Sequence, residues 1–118
     1  MGVDILIPFN YNQTMLKQKE ILNYLHQYNI DKLPKGIEFV SIFGSYARGT
    51  QDVYSDVDIS YRLDHDVFYK DNAFKKLIVL EEIKEDLERT LGHRVDLIPA
   101  NTKNPLLQKS LNEEQILL

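Results

Sequence analysis

Two stretches of the chain combine residue types and spacing that can do chemistry. Gly44-Ser45 follows the apolar run Ile37–Phe43, and after ten intervening residues comes Asp56-x-Asp58, within Asp56-Val57-Asp58-Ile59-Ser60-Tyr61. In an extended strand positions i and i+2 share a face, so Asp56 and Asp58 project together while Val57 and Ile59 turn away. A third acid, Asp96, lies in Arg94-Val95-Asp96-Leu97-Ile98, where the same alternation separates it from Val95 and Leu97. If these strands pair with their apolar faces aligned, the three carboxylates converge. Clustered carboxylates raise one another's pKa unless a cation neutralises them, and their hard oxygens suit Mg2+ or Mn2+ completed by water and phosphate oxygens.

Gly44-Ser45 supplies the other half of such a site. Glycine at a strand end lets the backbone approach a ligand closely, and the N–H groups that open the next turn can hold a phosphate. The Ser45 hydroxyl adds a hydrogen bond, and Arg48, one turn on, is a charge-assisted donor to phosphate oxygens. The near match to a nucleotide-binding P-loop fails. Gly44-x4-Gly49 has the glycine spacing, but Thr50 and Gln51 stand where Lys and Ser or Thr are required.

Each residue also has a plain structural reading. Asp56 can cap a turn after Ser55, Asp96 can pair with Arg94, Arg48 can be solvated, and Tyr46 can pack beneath the turn. His26, His65 and His93 are scattered with no ligand spacing. The acidic run at 81–86 reads as the wet face of a helix.

The elements that must position these residues follow from periodicity. An N-terminal arm leads to a helix that Asn12 or Thr14 could cap, running to about Tyr28, with Met15, Ile21, Leu22, Leu25 and Tyr28 on its apolar face. Residues 37–43 form a largely buried strand, 45–48 a turn or short helix, 56–61 a half-buried strand, and 64–72 a charged connection. A long helix capped by Asn72 runs to Leu91, with Phe74, Leu77, Leu80, Ile83, Leu87 and Leu91 on one side and Gly92 behind it. Residues 94–98 make a third strand, and Asn104-Pro105 opens a last helix to about Leu117. The order predicts an α/β (α+β) domain over residues 1–118: a small mixed sheet with helices packed on one face.

Composition narrows the function classes. The chain has 118 residues, 43% hydrophobic and 27% charged, with 14 basic against 18 acidic side chains and a net charge of −4. General nucleic-acid binding through counterion release is not expected. The absence of cysteine excludes disulfides and thiolate chemistry and fits a reducing cytoplasm. No apolar run approaches the roughly 18 residues that cross a bilayer, and the N-terminal stretch is too short for a signal peptide.

Residues 44–60, GSYARGTQDVYSDVDIS, resemble the signature of the minimal nucleotidyltransferases of the polymerase β-like superfamily. HRVDLI at 93–98 is similar to the block in which that family places its third carboxylate. The resemblance implies transfer of AMP from ATP to a hydroxyl with release of pyrophosphate. Gly44 and Ser45 would bind the triphosphate, joined by Arg48. Asp56 and Asp58 would hold two Mg2+ ions, and Asp96 would share a metal and help deprotonate the acceptor. Small proteins of this kind are often paired with a HEPN-domain toxin, whose tyrosine they adenylylate as antitoxin. The toxin's own Arg-x4–6-His signature is missing, since three residues separate Arg89 from His93. The alternatives are an antitoxin that neutralises by binding alone and transfer to a small molecule such as an aminoglycoside. Enzymes of the latter kind carry an additional acceptor-binding domain, for which 118 residues leave no room. The expectation is therefore a hetero-oligomer with a protein substrate.

Overall fold

The computed structural model describes residues 16–68 and 73–118. The elements, in chain order, are α1 (Gln18–Asp31), β1 (Ile37–Phe43), α2 (Ser45–Arg48), β2 (Val57–Leu63), α3 (His65–Phe68), α4 (Ala73–Leu91), β3 (Val95–Pro99), α5 (Pro105–Glu114) and β4 (Ile116–Leu117). One mixed sheet runs in the order β3-β2-β1-β4, with β1 antiparallel to both neighbours and β2 parallel to β3.

The core lies on one face of this sheet. Ile37, Phe39, Ile42, Val57, Ile59, Tyr61 and Val95 pack there against Ile21, Leu25 and Tyr28 of α1 and Ile83, Leu87 and Leu91 of α4. Tyr28 donates its hydroxyl hydrogen bond to Asp86 Oδ2 at 2.7 Å and so ties the two helices. That bond and burial push the Tyr28 hydroxyl up, and the same bond holds the Asp86 carboxyl below its ordinary value.

The phase of β1 depends on a bulge. Phe39 pairs with Tyr61 and the next pair is Ser41 with Ser60, leaving Val40 as an extra residue. Before the bulge odd-numbered residues face the core, and after it Ile42 does, opposite Ile59. Ser41 and Phe43 are thereby turned to the other face. Asn29 clamps this point: its Oδ1 accepts from Phe39 N–H at 2.8 Å and its Nδ2 donates to the Phe39 carbonyl at 3.1 Å. Leu118 N–H takes the carbonyl of Val40 at 2.9 Å. Replacing Asn29 by Ala strands two main-chain groups of β1, and an unfolding free energy lower by about 2–3 kcal/mol is expected in denaturant titration. A loss below about 0.5 kcal/mol would show that the clamp is dispensable.

Four expectations are corrected. The first helix is capped at Lys17, whose N–H donates to Glu20 Oε1 at 2.9 Å, and it continues past Tyr28 to Asp31. Asn12 and Thr14, like Met15 and Asn72, lie outside the described residues. The last helix stops at Glu114 instead of about Leu117. Gln115 is extended, and Ile116 and Leu117 pair with Ile42 and Ser41, because β1 would otherwise offer an unpaired edge. A short helix, α3, interrupts the charged connection. Phe74 and Leu77 are exposed, by 75% and 58%, although they share a stripe with buried Ile83 and Leu87. A helix of 19 residues is about 28 Å long, beyond the roughly 17 Å of β3, so only its C-terminal half lies over the sheet.

Among the described residues, no helix is long and apolar enough to cross a membrane.

Candidate active site

The face of the sheet away from the core carries the acids. Asp58 pairs with Asp96 across the parallel β2–β3 ladder and with Phe43 across β1, while Asp56 sits one residue ahead of β2. Val57 and Ile59, fully buried in the core, fix this orientation by the pleat alone. Gly44 follows Phe43 directly and therefore lies against Asp58. It adopts φ 75° and ψ −152°, and a Cβ at this position would stand 2.1 Å from Asp58 Oδ2. Only glycine lets the main chain pass so close to the carboxylate.

The turn after Gly44 is α2. The Ala47 and Arg48 N–H groups donate to the Gly44 carbonyl at 3.1 and 3.0 Å, and the N–H groups of Ser45 and Tyr46, ahead of them, have no helical acceptor. Tyr46 is fully buried and packs edge-on against the ring of His93, itself buried, so both histidine and tyrosine anchor α2 from below. Gln18 secures the same turn from α1, donating to the Tyr46 and Ala47 carbonyls at 3.0 and 3.3 Å. His26 is exposed on α1.

These elements enclose an open cleft of about 410 Å3, lined by Phe43, Gly44, Ser45, Arg48, Asp56, Asp58, Asp96, Ile98, Leu107 and Ser110. All six residues singled out from the sequence line it. The wall opposite them was not legible. Leu107 and Ser110 come from α5, whose start is capped by Asn104 Oδ1 accepting from Leu106 and Leu107 N–H at 3.0 and 3.2 Å. Arg48 is held at the rim by Glu114, the last residue of α5. Nothing in the local pattern around Glu113-Glu114 distinguishes them from solvated surface acids.

The cleft is electrostatically unbalanced. The Asp58 carboxyl is pushed up to about 6, first by burial, then by the charges of Asp96 and Asp56 and a side-chain hydrogen bond with Asp96, with Arg48 opposing. A site that penalises its own carboxylate in this way is short of positive charge. Its donors are hard oxygens, the set that suits Mg2+. Among the described residues no group of three or more His, Cys, Asp or Glu side chains forms a ready metal cage. Mg2+ is commonly held by one or two carboxylates together with water and substrate phosphates, and Asp58 lies beside Asp96 here. The residues present fit such an ion in company with a phosphate ligand.

A family comparison settles the lineage. Residues 19–118 match the model described as polymerase beta, nucleotidyltransferase. The chain belongs to that family. Its relatives include a Methanocaldococcus jannaschii chain bearing the name protein adenylyltransferase MJ1379, 35% identical over 105 residues, 88% of this chain and 97% of that one. Another from the same organism, MJ1217, is 40% identical over 105 residues, with the same shares covered. Protein adenylyltransferase MntA of Thermococcus cleftensis is 31% identical over 81 residues, 69% of this chain and 74% of that one. Among solved structures, a minimal nucleotidyltransferase has the same fold, with a TM-score of 0.65 and 24% identity over 89% of this chain and 99% of its own. A toxin–antitoxin crystallised with AMP-PNP gives a TM-score of 0.56 at 25% identity, covering 86% of this chain and 72% of that one. The family match and the relatives' names agree on the activity class, and the protein is a nucleotidyltransferase.

Proposed function

We propose that this nucleotidyltransferase moves AMP from ATP to a tyrosine hydroxyl of a HEPN-domain toxin, with Mg2+ as its cofactor, and so acts in the cytoplasm as the antitoxin of the pair. The observation that carries the reading is the convergence of Asp56, Asp58 and Asp96 on one cleft with Gly44 and Ser45. The relatives named protein adenylyltransferases support a protein acceptor, and the toxin–antitoxin neighbour with AMP-PNP supports ATP as donor and a toxin as partner.

In this mechanism the N–H groups of Ser45 and Tyr46, which have no acceptor among the described residues, the Ser45 hydroxyl and the Arg48 guanidinium hold the triphosphate. Asp56, Asp58 and Asp96 would hold the metal, which supplies neutralisation of the charge on the attacking and leaving oxygens. The acceptor oxygen forms a bond to the α-phosphorus, the bond from that phosphorus to the pyrophosphate oxygen breaks, and Asp96 receives the hydroxyl proton. Positioning and charge compensation make up most of the catalysis in reactions of this type. The cleft contributes to both: Gly44 brings main chain up to Asp58, and Arg48 adds positive charge at the rim.

The test is incubation of the chain with α-labelled ATP, Mg2+ and the product of the neighbouring gene. Label is expected on a tyrosine of the partner and is expected to vanish when both Asp56 and Asp58 are changed to Asn. Label that survives the double substitution would remove the assigned site. A tight complex without label would favour neutralisation by binding alone.

A further inference from the structure

Arg48 is the one cationic side chain among the described residues lining the acidic cleft. It does not hang free. Its Nη1 donates to both oxygens of the Glu114 carboxylate, at 2.9 Å each, across 66 residues of sequence. Its Nε and Nη2 make no hydrogen bond among the described residues. Glu114 is in turn fixed from behind. It ends α5, and two residues later Ile116 is pinned to Ile42 in the sheet. The carboxylate is therefore placed by secondary structure on one side, and the guanidinium by the buried Tyr46 and the short α2 on the other.

The Arg48 side chain is 46% exposed and that of Glu114 23%, and a pair so open to water adds little to stability. Its effect is on orientation. A free arginine spends conformational entropy each time it closes on a ligand; one already held by a single nitrogen has lost most of that freedom in advance. Because Glu114 engages only Nη1, it restrains the guanidinium without consuming the donors that would meet a phosphate.

We propose that Glu114 is a positioning residue: it pre-orients Arg48 so that Nε and Nη2 take oxygens of the ATP triphosphate in the cleft. The proposal rests on the reading of the cleft as the ATP site. It makes the C-terminal helix and the terminal strand part of nucleotide recognition, although neither contributes an acid to the cluster.

The experiment is calorimetric titration of the full chain with ATP and Mg2+, for wild type, Glu114→Gln, Glu114→Asp, Arg48→Ala and the Arg48→Ala/Glu114→Gln double variant. Loss of one pre-ordered side chain is expected to weaken binding about three- to tenfold in Glu114→Gln. Glu114→Asp, which keeps the charge, is expected to recover part of that loss. In the Arg48→Ala background the Glu114→Gln change is expected to do nothing further, an outcome a merely structural role would not produce. The melting temperature of Glu114→Gln is expected to stay within about 2 °C of wild type. Unchanged affinity in Glu114→Gln, while wild type binds ATP, would overturn the positioning role and leave the nucleotide site standing. An equal loss in the presence and absence of Arg48 would overturn it as well. No ATP binding by wild type would instead strike the reading of the cleft, and the proposal with it.

Discussion

Asp58→Asn is expected to raise the melting temperature of the protein in EDTA at pH 8 while lowering nucleotidyl transfer at least about 10²–10³-fold. The two effects have one cause. Burial and the charges of Asp96 and Asp56 push the Asp58 carboxyl up to about 6 from an ordinary value of 3.8. The folded chain therefore binds this proton more tightly than the unfolded chain does. The stabilising contribution of the protonated group is whole below pH 3.8, is lost progressively as pH rises to about 6, and is absent above that. Asparagine never ionises, so its advantage is full above about pH 6 and vanishes below about pH 4. Taken at face value the shift corresponds to about 3 kcal/mol, and partial exposure of the carboxyl reduces this to ~1 kcal/mol. In a chain of this size that is a rise of about 3–6 °C. Calorimetric scans of both proteins at pH 8 and pH 4 check the sign. Added Mg2+ with ATP is expected to stabilise wild type more than Asp58→Asn, since a ligand stabilises the form that binds it. A large loss of stability in Asp58→Asn at pH 8 without metal would mean that the carboxylate is a structural anchor.

Gly44→Ala is expected to cost about 10²-fold in transfer rate, because the new methyl displaces Asp58. The Cβ would lie 2.1 Å from Asp58 Oδ2 and 3.2 Å from its Cγ, so the carboxylate must swing away. A displacement of about 1 Å in a reacting group is worth about that factor. The φ of 75° with ψ −152° adds backbone strain, since alanine does not tolerate this region. Gly49→Ala is the control. Gly49 also has positive φ, 77°, but its Cβ would meet nothing within 4 Å. It is expected to lose about 1 kcal/mol of stability and to keep near wild-type transfer. Steady-state rates for both variants, with melting curves, separate the cases. Equal losses in the two would show that backbone strain alone, and not the approach to Asp58, is what the Gly44 position protects.

The chemistry of the cleft was readable in the chain because it is local. Asp56-x-Asp58 shares a face by the period of a strand, and Asp96 by the same rule, whatever surrounds them. Gly44 announces a backbone that needs unusual freedom, and Asn104-Pro105 announces a helix start that the capping bonds to Leu106 and Leu107 bear out. Val57, Ile59 and Val95, each fully buried, follow the same alternation.

What local pattern could not supply are the contacts that arise from meeting another element. Whether Asp58 and Asp96 lie side by side depends on a parallel register that no short window encodes. Phe43 and Gly44 reach the acidic face only because a bulge at Val40, clamped by Asn29, changes the phase of β1. The pairing of Ile116 and Leu117 replaces helix with strand because β1 presents an open edge there, a reason that exists only once the sheet does. Glu114 looks like any surface acid until that pairing sets it beside Arg48. Residue type and period decide which side chains can do chemistry; register, bulge and edge, each a property of two elements meeting, decide how close they come.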